Sequence, residues 1–268
     1  MYRSSIASDA DRNQILAFLE QRGLVQNAWL IQQVYGPSEQ DTVLVCRRHN
    51  KVMGIACFWP RDPRQVQPQP YTYLVHMDAV NRDAVEGLIE PLPAGERISF
   101  DLFNPMIQEY FDGLLEATRE DGDLYFTVSR DRFRPVMGED VIEVTAADAG
   151  LFEGCERQPS WEDMAEESRR FAIVRKGRVA TRTGVCPITP HNATKRRVVV
   201  ISGLYTETPH RCMGLGRRLV SHITEMILCE GNLPMYWTEP DNAASQRLAR
   251  SLGYWQYAQR VNYLWRKA

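Results

Sequence analysis

The sequence has no long hydrophobic run and no sign of an export segment. No window approaches the roughly 18 to 20 apolar residues that a membrane-spanning helix needs, and the N-terminal segment MYRSSIASDADRNQ lacks the apolar core of a signal peptide. The six cysteines form no CxxC pair and have no histidine pair at zinc-ligand spacing. These absences predict a cytoplasmic protein with free thiols, no metal site and no membrane partner.

An excess of charge of one sign is missing as well. Thirty-two Lys and Arg residues face 34 Asp and Glu residues, which leaves a net charge of −2. This balance gives no electrostatic reason to expect a nucleic-acid partner or an anionic membrane surface. Hydrophobic residues make up 44% of the 268 residues, so the chain can bury the core of one large domain or of two smaller ones.

The first half of the chain reads as a helix followed by strands. Ile15, Leu16, Phe18 and Leu19 form an apolar stripe after the N-cap-like segment Ser8–Asp11, which predicts a helix. Further along, alternating and apolar patterns predict strands at residues 41–47, 52–59, 71–77, 97–103 and 124–128, helices at 79–88 and 106–117, and a proline-rich loop at 60–70.

The second half repeats this order. It is predicted to hold a largely helical segment at 151–170, a hairpin of strands 171–174 and 179–185, a loop at 187–194, a strand at 198–201, a helix from 215, a strand at 235–238, a short helix near 244–252 and a closing strand at 261–265. The repetition indicates an internal duplication. We place the boundary between residues 134 and 135, which gives domains 1–134 and 135–268.

The most informative segment is ISGLYTETPHRCMGLGRRLV, residues 201–220, where a buried strand runs into a helix. Gly214 and Gly216 let the backbone come close to a ligand, and the first N–H groups of a helix have no intrahelical acceptor, so they can bind a pyrophosphate. Three arginines of the segment add positive charge. The segment has neither the Gly-Lys-Ser/Thr of a P-loop nor the GxGxxG of a dinucleotide site, which argues against a nucleotide hydrolase or a dehydrogenase.

The hexapeptide RCMGLG, residues 211–216, resembles the Arg/Gln-x-x-Gly-x-Gly/Ala motif of the GNAT superfamily of acyl-CoA-dependent N-acyltransferases. Downstream, residues 240–245 (PDNAAS) and 252–254 (LGY) are similar to the Asn-x-x-Ser and Leu-Gly-Phe/Tyr elements of that superfamily. The approach at residues 204–211 is similar to the branch that includes glycine N-acyltransferase-like proteins. The resemblance covers about residues 140–265, whereas the first half is similar only in its order of elements.

This resemblance implies an α/β fold made of two tandem GNAT-like domains, each a mixed, mostly antiparallel sheet flanked by helices. The first domain, 1–134, has no RxxGxG and would be a degenerate copy that binds no acyl-CoA. The second, 135–268, would be the catalytic domain.

The resemblance also implies roles for individual residues. The backbone of Leu204, Tyr205 and Thr206 would pair with the pantetheine arm of acetyl-CoA, Asn242 would contact pantetheine, and Ser245 would lie near the phosphates. The backbone amides that would hold the pyrophosphate are those of Arg211, Cys212, Met213, Gly214, Leu215 and Gly216. The implied reaction is direct attack of an amine on the thioester, with both reactants held together.

The groups that move protons follow the superfamily less closely. Many relatives carry a general-acid Tyr seven residues after the Asn, and this chain has Ala249 there, so the acid stays unassigned. Glu239, after the strand at 235–238, and Glu207 are the acidic residues nearest the inferred cleft. We favour Glu239 as the base, and a water chain without a single base is the alternative.

Together these features predict an N-acetyltransferase that moves an acetyl group from acetyl-CoA to a primary amine of a small molecule, amino acid or peptide. The near-neutral charge argues against strongly cationic acceptors. The missing Tyr at position 249 keeps a second hypothesis open, a non-catalytic module that senses acyl-CoA.

Overall fold

The computed structural model describes residues 2–36, 41–60, 70–138, 140–158, 167–190 and 193–267. The chain forms two compact units. The first unit comprises residues 1–124, 189–194 and 258–268, and the second comprises residues 125–188 and 195–257.

Both units have the same order of strands and of the helices after the fourth and fifth strands, whereas, among the described residues, α-helices lie between the first and second strands only in the first unit. The first contains, in chain order, β1 (Tyr2–Ile6), α1 (Arg12–Gly23), α2 (Ala28–Tyr35), β2 (Thr42–Arg48), β3 (Lys51–Pro60), β4 (Tyr73–Ala79), α3 (Arg82–Ile89), β5 (Arg97–Leu102), α4 (Pro105–Asp112) and most of β6 (Thr118–Thr127). The second contains β7 (Val141–Val144), β8 (Arg169–Arg175), β9 (Arg178–Pro187), β10 (Val198–Thr206), α5 (Leu215–Cys229), β11 (Leu233–Thr238), α6 (Ala243–Ser251) and the start of β12 (Trp255–Arg266).

The sheet of each unit is mixed, as predicted. In the first unit the strand order is β1-β2-β3-β4-β5-β12-β6, and in the second it is β6-β11-β10-β9-β8-β7. The hairpins β2–β3 and β8–β9 are antiparallel, and the pairs β4–β5 and β10–β11 are parallel. Parallel neighbours need a crossover, which α3 provides in the first unit and α5 in the second.

The two units are not two consecutive halves of the sequence, because the last strand is divided between them. Residues 258–268 belong to the first unit, because β12 pairs there with β5, from Val261 opposite Leu102 to Arg266 opposite Arg97. The apolar residues of this strand, among them Val261 and Tyr263, are buried in the core of the first unit. The end of the chain therefore completes the first sheet, which a boundary drawn along the sequence does not anticipate.

Apolar faces of the helices supply the cores. The predicted stripe of α1, from Ile15 to Leu19, is buried with α2 against β3 in the first unit. In the second unit, α5 buries Leu215, Leu219, Ile223 and Ile227 along one side. Among the described residues, no helix is both long and apolar enough to cross a membrane.

The predicted helix at 151–170 is wrong for those of its residues that the structure describes. Residues Ala146–Phe152 form a short 3-10 segment, residues 153–158 are not helical, and β8 begins at Arg169. Phe152 packs there in a small cluster with residues of β7, β8 and β9, so a compact turn replaces the start of the predicted helix. Residues 159–166 of this prediction lie outside the described residues.

Other boundaries shift for local reasons. The predicted helix 106–117 ends at Asp112, and β6 starts at Thr118 rather than at 124, because ion pairs of Arg119 with Asp112 and Asp121 support a polar strand that lacks an apolar pattern. The strands β1 and β7 and the helix α2 were not predicted. Of the predicted loop 60–70, residues 61–69 lie outside the described residues.

Candidate active site

The two parallel strands of the second unit separate partway along their length. β10 and β11 are paired only from Val198 opposite Leu233 to Ile201 opposite Tyr236. Beyond Ile201, β10 stays paired with β9 on its other side as far as Thr206. In the described part of the chain, no strand pairs with residues 202–206 on the β11 side. This edge offers backbone N–H and C=O groups to an extended ligand.

A β-bulge lies where the separation begins. The register between β10 and β9 shifts between Ser202 and Tyr205. Gly203 within the bulge has a φ of +65°, a left-handed conformation that glycine adopts without steric cost. Bulges re-aim a strand, and this one turns residues 204–206 along the opening.

The opening continues into a groove. One cavity of about 620 Å³ lies between β10, the loop and first turn of α5 at 210–217, and α6. A second of about 420 Å³ lies between the ends of β10 and β11. Leu204, Tyr205, Asn242 and Ser245 line both cavities, which makes them one continuous groove. The groove brings together the predicted β10 residues, the glycine loop and the start of α6.

The loop before α5 is built to leave backbone amides open. Gly214 is the N-cap of α5 with a φ of +74°, and among the described residues no side chain caps the helix. Cys212 also has a positive φ, of +60°, so two left-handed residues bend the loop into a concave nest of N–H groups. The amides of residues 212–216 and the helix dipole therefore suit the pyrophosphate of acyl-CoA, whereas the predicted Arg211 N–H donates to the Thr208 carbonyl at 3.3 Å.

The residues of the glycine loop differ in whether their side chains enter the groove, the core or the solvent. A Cβ at Gly216 would lie 3.5 Å from Leu248 Cδ1 and 3.6 Å from Leu204 Cδ2, inside the groove, so the missing side chain keeps the groove open there. Leu215 is buried and anchors the helix, whereas the Met213 side chain is exposed. These two predicted residues can contribute to phosphate binding through their amides.

The start of α6 and the strand β11 each bring one hydroxyl group to the groove. Asn242 caps the helix, with its Oδ1 accepting from the Ser245 N–H at 3.1 Å. The Ser245 hydroxyl lies 2.5 Å from the hydroxyl of Tyr236, which is 3% exposed. Burial raises the pKa of Tyr236, so its hydroxyl is protonated at neutral pH. Tyr236 was not predicted, since an aromatic residue in a strand more often belongs to the core.

Tyr205 is held at the rim of the groove by charged neighbours. Its hydroxyl donates to the carboxylate of Glu156, which also accepts from the Thr208 N–H at 3.1 Å. The hydrogen bond from Tyr205 is the main cause that lowers the pKa of Glu156 to about 2. The Arg211 Nε donates to the Thr206 carbonyl at 3.1 Å, so this guanidinium folds back onto β10. Glu156 escaped prediction because its segment was interpreted as a helix.

The two candidate bases occupy different surroundings. Glu239 is exposed just after β11 and lines the second cavity of the groove together with Ser202 and Gly203. Glu207 is 7% exposed, and its Oε2 accepts from the Glu156 N–H at 2.9 Å. Glu207 thus holds the segment beside Tyr205, while Glu239 faces the open groove.

The position of the usual general acid is filled by core residues. Ala249 is fully buried, and the nearby Tyr254 is buried with its hydroxyl 2.7 Å from the Thr224 hydroxyl. Neither lines the groove. Among the described residues, no group of three His, Cys, Asp or Glu side chains could hold a metal ion.

Comparisons with known proteins agree with this architecture. Residues 192–265 match the family described as FR47-like protein. A tandem GNAT protein from the clavulanic acid biosynthesis pathway is similar over 99% of this chain and 98% of its own, with a TM-score of 0.60 and 13% identity. An acetyltransferase from the GNAT family from Colwellia psychrerythraea is similar over 98% of this chain and 100% of its own, with a TM-score of 0.62 and 12% identity.

A GCN5-related N-acetyltransferase from Sphaerobacter thermophilus is also similar, over 98% of this chain and 95% of its own, with a TM-score of 0.59 and 12% identity. No curated protein matches the sequence significantly. The matches do not single out the glycine N-acyltransferase-like branch, which stays a prediction. The FR47-like segment contains the glycine loop and α6, and the solved structures match both units, so this chain has the fold of the GNAT superfamily in its tandem form.

Proposed function

We propose that the second unit is an N-acetyltransferase that transfers the acetyl group of acetyl-CoA to a primary amine of a small molecule, amino acid or peptide. The observation that carries this proposal is the continuous groove between the uncapped start of α5 and the unpaired edge of β10. Its two ends suit the two parts of acyl-CoA, an anionic pyrophosphate and an extended arm rich in amide groups. Bound acetyl-CoA would supply an acyl carbon activated as a thioester.

Backbone groups do most of the binding in this proposal. The amides of Cys212, Met213, Gly214, Leu215 and Gly216 hold the pyrophosphate, and Arg211 lines the groove beside them. Residues 204–206 pair with the pantetheine arm as an added strand would, and the bulge at Gly203 marks where that pairing ends. Asn242 and Ser245 line both cavities and contact the arm from α6. The groove thereby fixes the thioester for attack by a second bound molecule.

Two side chains are placed to handle protons. Glu239 faces the cavity at the end of β11 and accepts a proton from the incoming amine, directly or through water. We assign the general-acid role to Tyr236, whose protonated hydroxyl is bonded to Ser245 on the shared wall of the groove. Tyr236 then replaces the Tyr that relatives carry at the position of Ala249.

One observation favours the second hypothesis, a sensor that binds acyl-CoA without turnover. Both Ala249 and Tyr254 are buried in the core, so the general acid at its usual place is missing. A sensor would bind acetyl-CoA and release no thiol when amines are added. The two hypotheses share the cofactor site and differ only in the chemistry.

The test measures binding first and turnover second. Acetyl-CoA at 100 times its dissociation constant is expected to raise the free energy of unfolding by about 2.7 kcal/mol. Amine-dependent release of CoA then separates the enzyme from the sensor. Absence of binding would contradict both hypotheses.

One variant and its control test the proposed base. We expect Glu239→Gln to lower kcat by about 100-fold with unchanged affinity for acetyl-CoA, because general bases contribute about that much. Glu225→Gln, an exposed residue of α5, is the matched control and should leave kcat unchanged. If Glu239→Gln keeps full turnover, Glu239 is not the base.

A further inference from the structure

Trp237 exposes its indole in a strand whose neighbouring residues are covered. It is 37% exposed, whereas Met235, Tyr236 and Thr238 of β11 are each at most 5% exposed. The exposed side chain lines the cavity of about 420 Å³ between the ends of β10 and β11. Ligand pockets are typically lined by aromatic side chains together with a few polar groups. Trp237 therefore belongs to the groove and not to the core.

Strand alternation separates Trp237 from the residues proposed to hold the pantetheine arm. The Tyr236 hydroxyl lies 2.5 Å from that of Ser245, so Tyr236 faces α6. Successive side chains of a strand point to opposite faces of the sheet, so Trp237 points away from α6. The same alternation, continued by one residue, places Glu239 on the side of Trp237. The proposed base and the exposed indole thus share one face of the gap, whereas Asn242 and Ser245 lie on the other.

The register of the two parallel strands places Trp237 at the point where they separate. The last pair is Ile201 opposite Tyr236, so within the described residues Trp237 is the first residue of β11 without a partner on β10. On the other strand, the bulge that contains Gly203 begins at this level. A Cβ at Gly203 would have open space around it. Room is therefore left beside the indole, where the proposed pantetheine arm ends.

Among the described residues, no ring or guanidinium group stacks on the indole of Trp237. The ring of Tyr205, at the rim of the same groove, differs in this respect. Three guanidinium groups lie over it, 4.8 to 5.6 Å from its centroid, those of Arg157, Arg182 and Arg211. Two aromatic residues thus line one cavity, and the face of Trp237 is the one open to a ligand.

We propose that Trp237 is the platform on which the acceptor binds, and that the acceptor is a primary amine joined to an aromatic ring by a short chain. This inference rests on the proposed function. A flat ring covers an indole face more fully than a linear chain, and aromatic pairs gain energy beyond the burial of their area. Two residues along a strand span about 7 Å, which two or three carbons between ring and amine can bridge. With its ring on Trp237, the acceptor directs its amine to Glu239, and the thioester meets it from the α6 side.

Equilibrium binding of reaction products tests the platform without turnover. With CoA present, the main probes are N-acetyl-2-phenylethylamine and N-acetyl-2-cyclohexylethylamine, which share a chain and differ in the flatness of the ring. We expect the phenyl compound to bind at least about three times more tightly. Trp237→Leu should remove this preference and leave the affinity for CoA unchanged, since Trp237 does not line the cavity of about 620 Å³. Trp255→Leu, a half-buried residue that lines neither cavity, is the matched control and should keep the preference.

Indole emission gives a second readout. The N-acetyl derivative of 2-(4-nitrophenyl)ethylamine quenches the emission of an indole that it contacts. We expect this quenching to fall strongly in Trp237→Phe and to persist in Trp255→Phe. If Trp237→Leu fails to fold, as judged by its melting curve, Trp237→Phe replaces it, and it should keep the preference for the phenyl ring while losing the quenching. Equal quenching of the unaltered protein and Trp237→Phe would overturn the platform.

The remaining outcomes separate this inference from the proposed function. The N-acetyl derivatives of galactosamine, glycine and 1,4-diaminobutane represent sugar, amino-acid and aliphatic acceptors. Binding of any of these, or of the cyclohexyl compound, as tight as that of the phenyl compound overturns the aromatic class, even where amines release CoA from acetyl-CoA. A phenyl preference that depends on Trp237, in a protein that does not bind acetyl-CoA, sustains the aromatic site and contradicts the proposed transferase. Binding of none of the probes overturns the platform.

Discussion

The two units differ at the place where the two parallel strands of each sheet separate. In the first unit, β4 and β5 are parallel and are paired from Tyr73 opposite Ile98 to His76 opposite Asp101, after which β4 continues on β3 alone to Ala79. In the second unit, β10 and β11 separate in the same manner. The fold therefore creates a gap between its parallel strands twice, and side chains decide what occupies each gap.

In the first unit, polar side chains fill the gap. Asp78 is 1% exposed, and its carboxylate accepts from Arg22 Nε at 2.6 Å, from Asn104 Nδ2 at 2.7 Å and from Asn27 Nδ2 at 3.2 Å. Arg22 and Asn104 also donate to the carbonyl of Ala79. The cavity that remains has a volume of about 10 Å³, against about 620 and 420 Å³ in the second unit.

The helix that follows the gap differs as well. In the first unit, the Asn81 side chain accepts from the Ala84 N–H at 3.0 Å and so caps α3. In the second unit, Gly214 stands at the start of α5 and leaves the amides open to a ligand. A few polar side chains therefore close in the first unit the gap that remains an open groove in the second, without a change of fold.

The largest expected effect is on the free energy of unfolding and follows from removing the carboxylate of Asp78 at the centre of the filled gap. Asp78→Ala removes the carboxylate that Arg22 and Asn104 share and leaves both with the Ala79 carbonyl alone, and we expect it to lower the free energy of unfolding by about 3 to 5 kcal/mol. Urea denaturation measures this change. Asp83→Ala, an exposed residue in the first turn of α3, is the control and should cost no more than about 1 kcal/mol. A loss of under about 1 kcal/mol for Asp78→Ala would show that the polar cluster is not what closes the gap.

The second effect follows from closing the open gap. Replacing Gly214 with Ala and Gly216 with Val strains the left-handed position and puts a side chain into the groove. We expect the affinity for acetyl-CoA to fall by at least about 100-fold, which corresponds to about 2.7 kcal/mol. Calorimetric titration measures it.

The matched control for the strain is Gly177→Ala in the β8–β9 turn. Gly177 has a φ of +77° and, like Gly214, open space around its Cα. This variant should lose stability and bind acetyl-CoA with unchanged affinity. Normal binding by the Gly214 and Gly216 double variant would refute the phosphate loop.

The third effect compares the same residue type in both units. Asn104 caps α4 after β5, and Asn242 caps α6 after β11, with acceptor distances of 3.0 Å to the Met106 N–H and 3.1 Å to the Ser245 N–H. Each change to Ala removes a cap worth about 1 kcal/mol. Asn104→Ala also removes a donor to buried Asp78, so we expect it to cost about 2 kcal/mol more than Asn242→Ala.

The order of the two variants should be the opposite for the affinity for acetyl-CoA. Asn242 lines both cavities, so Asn242→Ala should weaken acetyl-CoA binding, and Asn104→Ala should leave it unchanged in the folded protein. Equal effects of the two variants on stability would break the proposed contrast between a filled gap and an open one. Thermal melting with and without acetyl-CoA gives both readouts.

Much of the second unit could be predicted because its signals are local. The apolar run Val198–Ile201, the glycine loop and the start of α6 each depend on a few consecutive residues, and the structure places them around one groove. The short 3-10 segment at Ala146–Phe152 was missed because its apolar residues pack in a small separate cluster. Glu156 follows it and reaches Tyr205 only through the tertiary fold.

The polar cluster around Asp78 and the pairing of β12 with the first unit could not be predicted, since both depend on residues far apart in the sequence. Asp78 meets Arg22 and Asn104 from different elements, and β12 pairs with β5 across the length of the chain.

The smallest expected effect concerns the carboxylate at the rim of the open gap. The pKa of Glu156 is lowered to about 2 from an ordinary 4.5, mainly by the hydrogen bond from Tyr205. Its contribution to stability is therefore present above about pH 4.5 and is lost as the pH falls towards 2. Because Glu156 is exposed, this contribution is small.

Removing the donor should reverse this shift. In Tyr205→Phe, we expect the pKa of Glu156 to rise towards 4.5, which carbon NMR of the side-chain carboxyl measures directly. Tyr35→Phe, in α2 of the first unit, should leave it near 2. If the pKa stays near 2 in Tyr205→Phe, the Thr208 N–H and Arg211 hold the carboxylate without the tyrosine. The rim of the open gap would then be fixed from the glycine loop, and not from β10.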